Sequence, residues 1–90
     1  MAGYVDPIHG ARRHHLAALA YEAGARGLAC RLVGPGEEVL RVVDRYGLAT
    51  MVVAIPTSPN VWSYLWGDGG IADTSDPSLA AELIVRSLAR

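Results

Sequence analysis

Lysine and phenylalanine are absent from this 90-residue chain, and cysteine occurs once, as Cys30. A single cysteine excludes an intramolecular disulfide and therefore the disulfide-rich scaffolds of small secreted domains. No apolar run approaches the roughly 20 residues that a membrane-spanning helix needs. The N-terminal residues also lack the charged and then apolar pattern of a secretory signal peptide. We therefore expect a cytoplasmic protein with no membrane partner.

The sequence also lacks an excess of charge of either sign, because its basic and acidic residues nearly balance and leave a formal net charge of −1. Proteins that bind nucleic acid usually gather basic residues into a patch. The adjacent basic pair here is Arg12 and Arg13, so we do not expect nucleic-acid binding. A nucleic-acid-associated regulator that uses Arg12, Arg13 and Arg26 stands only as a third hypothesis.

Hydrophobic residues are plentiful and make up 51% of the chain. A chain of this length fits one domain, residues 1–90, and buries only about 60–65% of the surface that it exposes when unfolded. Residues 1–9 contain few apolar side chains and are predicted to form a flexible N-terminal arm. The remaining apolar surface is more than a lone domain of this size easily hides, which favours self-association.

Two helices are predicted, one near each end of the chain. Residues 11–25 place apolar side chains at helical spacing, and Gly27 is well positioned to end that helix. The second helix is expected to run to about Ala89. Its start is marked by Asp76, an N-cap residue, and by Pro77, which suits the first helical position.

Four strands are predicted between the helices, with short turns between them. They are Leu28–Val33, Glu38–Asp44, Leu48–Ile55 and Val61–Trp66. Neighbouring strands joined by short turns are antiparallel, because parallel neighbours need long crossovers. Gly67–Ser75 is predicted to be a loop. The fold class is therefore α+β: a four-stranded antiparallel meander sheet with N- and C-terminal helices (α-β-β-β-β-α) packed on one face.

The strand-four aromatics Trp62, Tyr64 and Trp66 are the main candidate site, because they share one strand face. They could form core beneath the helices, an interface with a partner, or the wall of a small-ligand pocket. The sequence alone leaves these three interpretations open. Met51 and Val53 join them as candidate interface or ligand residues, because the third strand has almost no polar side chain.

No catalytic residue, metal site or cofactor is predicted. His14 and His15 are adjacent, so they point about 100° apart on a helix and cannot chelate one ion together. Cys30 is expected to be a buried structural residue in its strand. The run Gly67–Gly70 matches neither the dinucleotide-binding pattern nor the P-loop, and turn formation accounts for it.

Four short motifs resemble a group of small uncharacterised actinobacterial proteins. They are RGL at residues 26–28, LRV at 40–42, WG at 66–67 and DPSLAAELI at 76–84. The resemblance covers about residues 15–88. It implies a bacterial cytosolic accessory protein, and it implies no particular activity, catalytic residue or cofactor.

These observations predict a non-enzymatic interaction or accessory protein, a homodimer that binds a protein partner through an apolar sheet face. The reason is that two short helices on one side of the sheet leave its other side uncovered. The alternative is a small-ligand-binding protein or a minor biosynthetic enzyme, with a pocket near the strand-four aromatics.

Overall fold

A computed structural model describes residues 7–67 and 69–89 of the chain. Two α-helices, a short 3₁₀ turn and five β-strands make up this part of the molecule. In chain order they are α1 (Pro7–Ala25), β1 (Ala29–Val33), the 3₁₀ turn (Pro35–Glu37), β2 (Val39–Val43), β3 (Ala49–Ser58), β4 (Val61–Trp66), β5 (Gly70–Asp73) and α2 (Pro77–Leu88). Residues 1–6 of the predicted arm lie outside the described residues, and residues 7–9 belong to α1.

The end of α1 and the start of α2 follow the capping chemistry that the sequence predicts, whereas α1 begins at Pro7 and not at residue 11. Gly27 has a φ of 85°, a left-handed conformation that favours glycine. The amide of Leu28 donates to the carbonyl of Ala23 at 3.1 Å, which closes α1 with a Schellman motif. At the start of α2, the Asp76 carboxylate accepts a hydrogen bond of 3.0 Å from the amide of Leu79.

The sheet is an antiparallel meander in the strand order β1-β2-β3-β4-β5. The predicted α+β class with its two terminal helices is confirmed, but the sheet has five strands rather than four. The additional strand, β5, lies within the segment predicted to be a loop, and it pairs with β4 from Ser63–Asp73 to Trp66–Gly70. A glycine at position 70 is atypical of a strand, so the sequence does not indicate β5. The structure explains this glycine, because a Cβ at position 70 would overlap the indole of Trp66.

Both helices pack on one face of the sheet, which we call the inner face. The buried core consists of the apolar side of each helix and the inner-face side chains of β2, β3 and β4. Its sheet residues are Leu40, Val42, Val52, Ala54, Tyr64 and Trp66, and its helical residues are Leu16, Leu19, Ala23, Ala80, Ala81, Ile84 and Leu88. The prediction that the helices share one sheet face therefore agrees with the structure.

Strand β3 is twice as long as β2, with 10 residues against 5. The ladder with β2 ends at the pair Leu40–Val52, so residues 54–58 have no β2 residue opposite them. The Nε of Arg12 donates to the carbonyl of Ala54 at 2.9 Å on this stretch. A side chain of α1 thus satisfies a β3 carbonyl where β2 has ended.

Candidate interaction surface

The outer face of the sheet, opposite the helices, carries an apolar surface that the described chain does not cover. Side chains alternate between the two faces along each strand. The outer-face residues are Ala29, Arg31, Val33, Val39, Arg41, Val43, Ala49, Met51, Val53, Ile55, Val61, Ser63, Leu65, Ile71 and Asp73. A sheet face in contact with water usually carries polar side chains. Most positions on this face carry apolar side chains instead.

One line of side chains crosses the outer face from edge to edge, and we call it the apolar row. It consists of Val33, Val39, Val53, Leu65 and Ile71, one residue from each strand. Strand pairing sets Val33 opposite Val39, Val53 opposite Leu65, and Leu65 opposite Ile71. The side chain of Ile71 is 59% exposed, and Met51 beside the row is 49% exposed. The other four residues of the row are partly exposed. Contiguous apolar surface in contact with water marks contact sites.

Two arginines flank the apolar row on β1 and β2. Arg31 and Arg41 are directly opposite each other in the ladder, and both are exposed. Like charges in directly opposed positions destabilise a sheet. Among the described residues, neither guanidinium has an acidic or aromatic partner, whereas the remaining arginines do. Those pairs are Arg12–Glu38, Arg13–Glu37, Arg26–Glu22, Arg86–Glu82 and Arg45 over the ring of Tyr46.

A shallow, open hollow lies at the other side of the outer face, where β4 turns into β5. Its volume is about 410 Å³, and its lining includes Met51, Leu65, Trp66, Ile71 and the glycines of the turn. Gly67 and Gly69 have φ values of 49° and 88°, left-handed conformations that favour glycine. Neither of these two residues places a side chain on this part of the face.

The five predicted site residues divide between the two faces of the sheet, although Met51 and Trp66 both line the hollow at the β4–β5 turn. Tyr64 is fully buried and Trp66 is 6% exposed, both on the inner face, and Trp62 is half-buried at the edge of the core. Met51 and Val53 lie on the outer face. The alternation of β3 and β4 predicts this division once the helices are assigned to one face. Four outer-face residues were not predicted as site residues: Arg31, Arg41, Leu65 and Ile71. Arg41 and Leu65 could have been found, because each lies between two core residues of its strand.

The hydroxyl of Tyr64 has a structural role. It donates a hydrogen bond of 2.6 Å to the carbonyl of His15 in α1, and burial raises the pKa of Tyr64 to about 12. A phenol with such a pKa stays neutral at physiological pH and continues to donate. This bond joins the central part of the sheet to α1.

A polar cluster surrounds the N-terminal half of α1. His9 Nδ1 lies 2.8 Å from an oxygen of Glu38, and the Arg12 guanidinium lies 5.8 Å from the ring centre of Trp62. The His15 ring is 5.2 Å from the same indole. Burial, and to a lesser degree the charge of His14, lowers the pKa of His15. Each group already has a partner within the fold, so the cluster holds α1 against the sheet.

No metal centre is formed by histidine, cysteine, aspartate or glutamate side chains in the ranges 7–67 and 69–89. Cys30 lies half-buried on the inner-face side of β1, and burial raises the pKa of its thiol. A raised pKa reduces the thiolate fraction, which is the nucleophilic form. Burial therefore makes Cys30 less reactive than a free thiol.

A second concavity, of about 540 Å³, lies between the end of α1, the β2–β3 turn and the end of α2. The guanidinium of Arg26 there is engaged by Glu22 and by the hydroxyl of Ser78, at 3.0 and 2.7 Å. Asp44 is occupied in the turn, where it accepts from the amides of Tyr46 and Leu48. This concavity is not formed by the strand-four aromatics, so it is not the pocket that the ligand hypothesis predicts.

Compared with protein families, curated proteins and solved structures, the chain matches none. The resemblance to the actinobacterial group therefore stays a prediction. Within residues 7–67 and 69–89, neither helix combines the length and hydrophobicity that crossing a membrane would require.

Proposed function

We propose that this chain is a non-enzymatic interaction protein that forms a homodimer through the outer face of its sheet. The observation that carries the proposal is the apolar row, which spans all five strands on the face away from the helices. Burying apolar surface contributes about 25 cal/mol per Å². A second molecule on this face would remove the row from water, which no described part of the same chain does.

The charges of the outer face favour a second copy as the occupant. Arg31 and Arg41 lie on β1 and β2, whereas Asp73, the acidic residue of this face within the described strands, lies on β5 at the opposite edge. A hydrogen bond from the Ser75 amide lowers the pKa of Asp73, which keeps it ionised. A face that is basic at one edge and acidic at the other can complement itself.

Sedimentation equilibrium of the full chain from micromolar to millimolar concentration tests the proposal. We expect a reversible dimer whose dissociation constant rises sharply in Ile71→Arg, because this change adds a buried positive charge to a face that already carries Arg31 and Arg41. Leu79→Arg is the matched control. Leu79 is also an exposed apolar residue, 51% against 59% for Ile71, but it lies on α2, away from the outer face.

Two results would contradict the proposal. One is a monomer throughout the concentration range. The other is a dimer that Ile71→Arg and Leu79→Arg weaken equally, since the outer face would then not be the interface. Circular dichroism of each variant checks that the fold is retained, which is expected because both side chains are exposed.

A further inference from the structure

We infer that the two copies pack with a two-fold axis parallel to β3, so that Arg31 and Arg41 of each copy enter the hollow at the β4–β5 turn of the other. This inference rests on the proposed homodimer and adds its geometry. Arg31 and Arg41, which have no acidic or aromatic partner within the described chain, thereby gain a partner group in the second copy. The hollow gains the side chains that fill it.

The first step is the symmetry of the apolar row. An axis parallel to β3 places β1 over the second copy's β5 and β2 over its β4, and each β3 lies over the other β3. The apolar row of one copy then lies over the apolar row of the other. Val53 is near the axis, Val39 lies over Leu65 of the second copy, and Val33 lies over its Ile71. Stacked sheets pack about 10 Å apart, which lets such side chains interdigitate.

The second step is the line of residues next to the row. On β1, β2 and β3 this line holds Arg31, Arg41 and Met51, which are long side chains. The ladder of β4 and β5 ends at the pair Trp66–Gly70. The same line, continued across these two strands, therefore falls on the turn that contains Gly67 and Gly69. The rotation therefore sets the long side chains of one copy above the glycines of the other.

The third step is charge. The same rotation places the arginines of the two copies at opposite edges of the dimer. Asp73 lies on the far side of the apolar row from the β4–β5 turn, so it does not face the arginines in this arrangement. The alternative axis, perpendicular to the strands, places β1 over β1 and β2 over β2, and so gathers the four arginines on one flank of the dimer. Like charges gathered at an interface oppose association. In the hollow, the guanidinium donors can instead bond to carbonyls of the turn.

Cysteine cross-linking in a Cys30→Ala background distinguishes the two axes. With the axis parallel to β3, residue 51 lies near residue 51 of the second copy, and residue 55 lies near residue 55. A short bifunctional maleimide is therefore expected to cross-link Met51→Cys and Ile55→Cys as single variants. Val39→Cys and Leu65→Cys are expected to cross-link efficiently only when the two variants are mixed. The perpendicular axis predicts self-linking of Val39→Cys and Leu65→Cys, and that result would overturn the inference while the homodimer stands.

Neutralising the arginines tests the occupant of the hollow. The double variant Arg31→Gln, Arg41→Gln is expected to raise the dimer dissociation constant at least about tenfold, since it removes the charge-assisted hydrogen bonds to the turn carbonyls of the second copy. Arg86→Gln is the control, because Arg86 is exposed on α2. Unchanged association of the double variant would overturn the inference. A chain that is monomeric before any substitution would overturn it together with the proposed function.

Discussion

The two faces of this sheet are built from the same five strands, yet they have different environments. On the inner face, Leu40, Val42 and Val52 are buried beneath the helices. Their neighbours in the chain, Arg41 and Met51, point to the other side and are exposed. Hydrophobic residues therefore occupy both sides of the central strands, but the described chain covers only one of them.

The comparison shows how differently hydrophobicity is used on the two faces. Inner-face residues interdigitate with α1 and α2, and removing them would leave a cavity. Outer-face residues have no such neighbours within the described chain, so we expect their replacement to leave the free energy of unfolding of the monomer almost unchanged. Substitutions matched in chemistry but placed on opposite faces can therefore test the division.

The largest effect is expected from Trp66→Ala. Truncating a buried aromatic residue usually costs about 3–5 kcal/mol, which is a large part of the stability of a small domain. Urea unfolding followed by circular dichroism would measure this change. Ile71→Ala on the outer face is the companion variant, and its unfolding free energy, measured at concentrations that keep the chain monomeric, should change by less than about 0.5 kcal/mol. Equal losses would contradict the division.

A smaller loss is expected from Trp62→Ala. Trp62 is on the inner face but only half-buried, and it contacts Arg12 and His15 at the edge of the core. We expect a loss of about 1–3 kcal/mol, between the buried and the exposed cases. The Trp62→Phe variant should recover much of it by restoring ring contacts. A loss as large as that of Trp66→Ala would mean that this edge belongs to the core.

Asp76→Ala tests the cap of α2, which helps to hold that helix on the inner face. The lost hydrogen bond to the Leu79 amide is expected to cost about 1 kcal/mol, the usual effect of removing an N-cap. Asp76→Asn and Asp76→Ser should retain most of the stability, because both side chains can accept the same bond. The free energy of unfolding in urea gives the comparison, and equal values for Ala and Asn would contradict the role.

The smallest effect is a pH dependence from His15. Its pKa in the folded chain lies below the ordinary value of about 6.5, so the unfolded chain binds more protons in acid. The contribution to stability is present above about pH 6.5 and is lost as the pH falls through the folded pKa.

Urea midpoints measured from about pH 8 to about pH 5.5 should therefore fall less in His15→Asn than in the parent chain. His14→Asn should keep most of the pH dependence, because burial is the larger cause of the lowered pKa. If the two variants behave alike, burial of His15 is not the source.

Much of the fold could be predicted from local rules. Asp76, Pro77 and Gly27 act on the backbone within a few residues of their own positions, so they predict the end of α1 and the start of α2. The start of α1 at Pro7, four residues before the predicted one, has no such signal. The two-residue alternation of β4 separated Trp62, Tyr64 and Trp66 from Leu65. β5 was missed because it is four residues long and begins with Gly70, whose lack of a side chain is explained only by the nearby Trp66 indole.

The candidate site was less accessible to sequence reasoning. The apolar row depends on the register of five strands, and register is a long-range property that a single strand does not contain. Arg31 and Arg41 are ten residues apart in the sequence and become opposed only through pairing. Met51 and Val53 were found because their own strand is unusually apolar. Ile71 was not, because its strand was taken for a loop.

The overhang of β3 beyond β2 has a consequence for how copies of the chain can join. Bare strand edges are templates along which sheets grow into open-ended fibres. On this overhang Arg12 already occupies the Ala54 carbonyl, and Pro56 has no amide hydrogen to offer an incoming strand. Growth by strand addition is thus discouraged at this overhang, so it does not compete with face-to-face packing, a contact that closes on itself after two molecules.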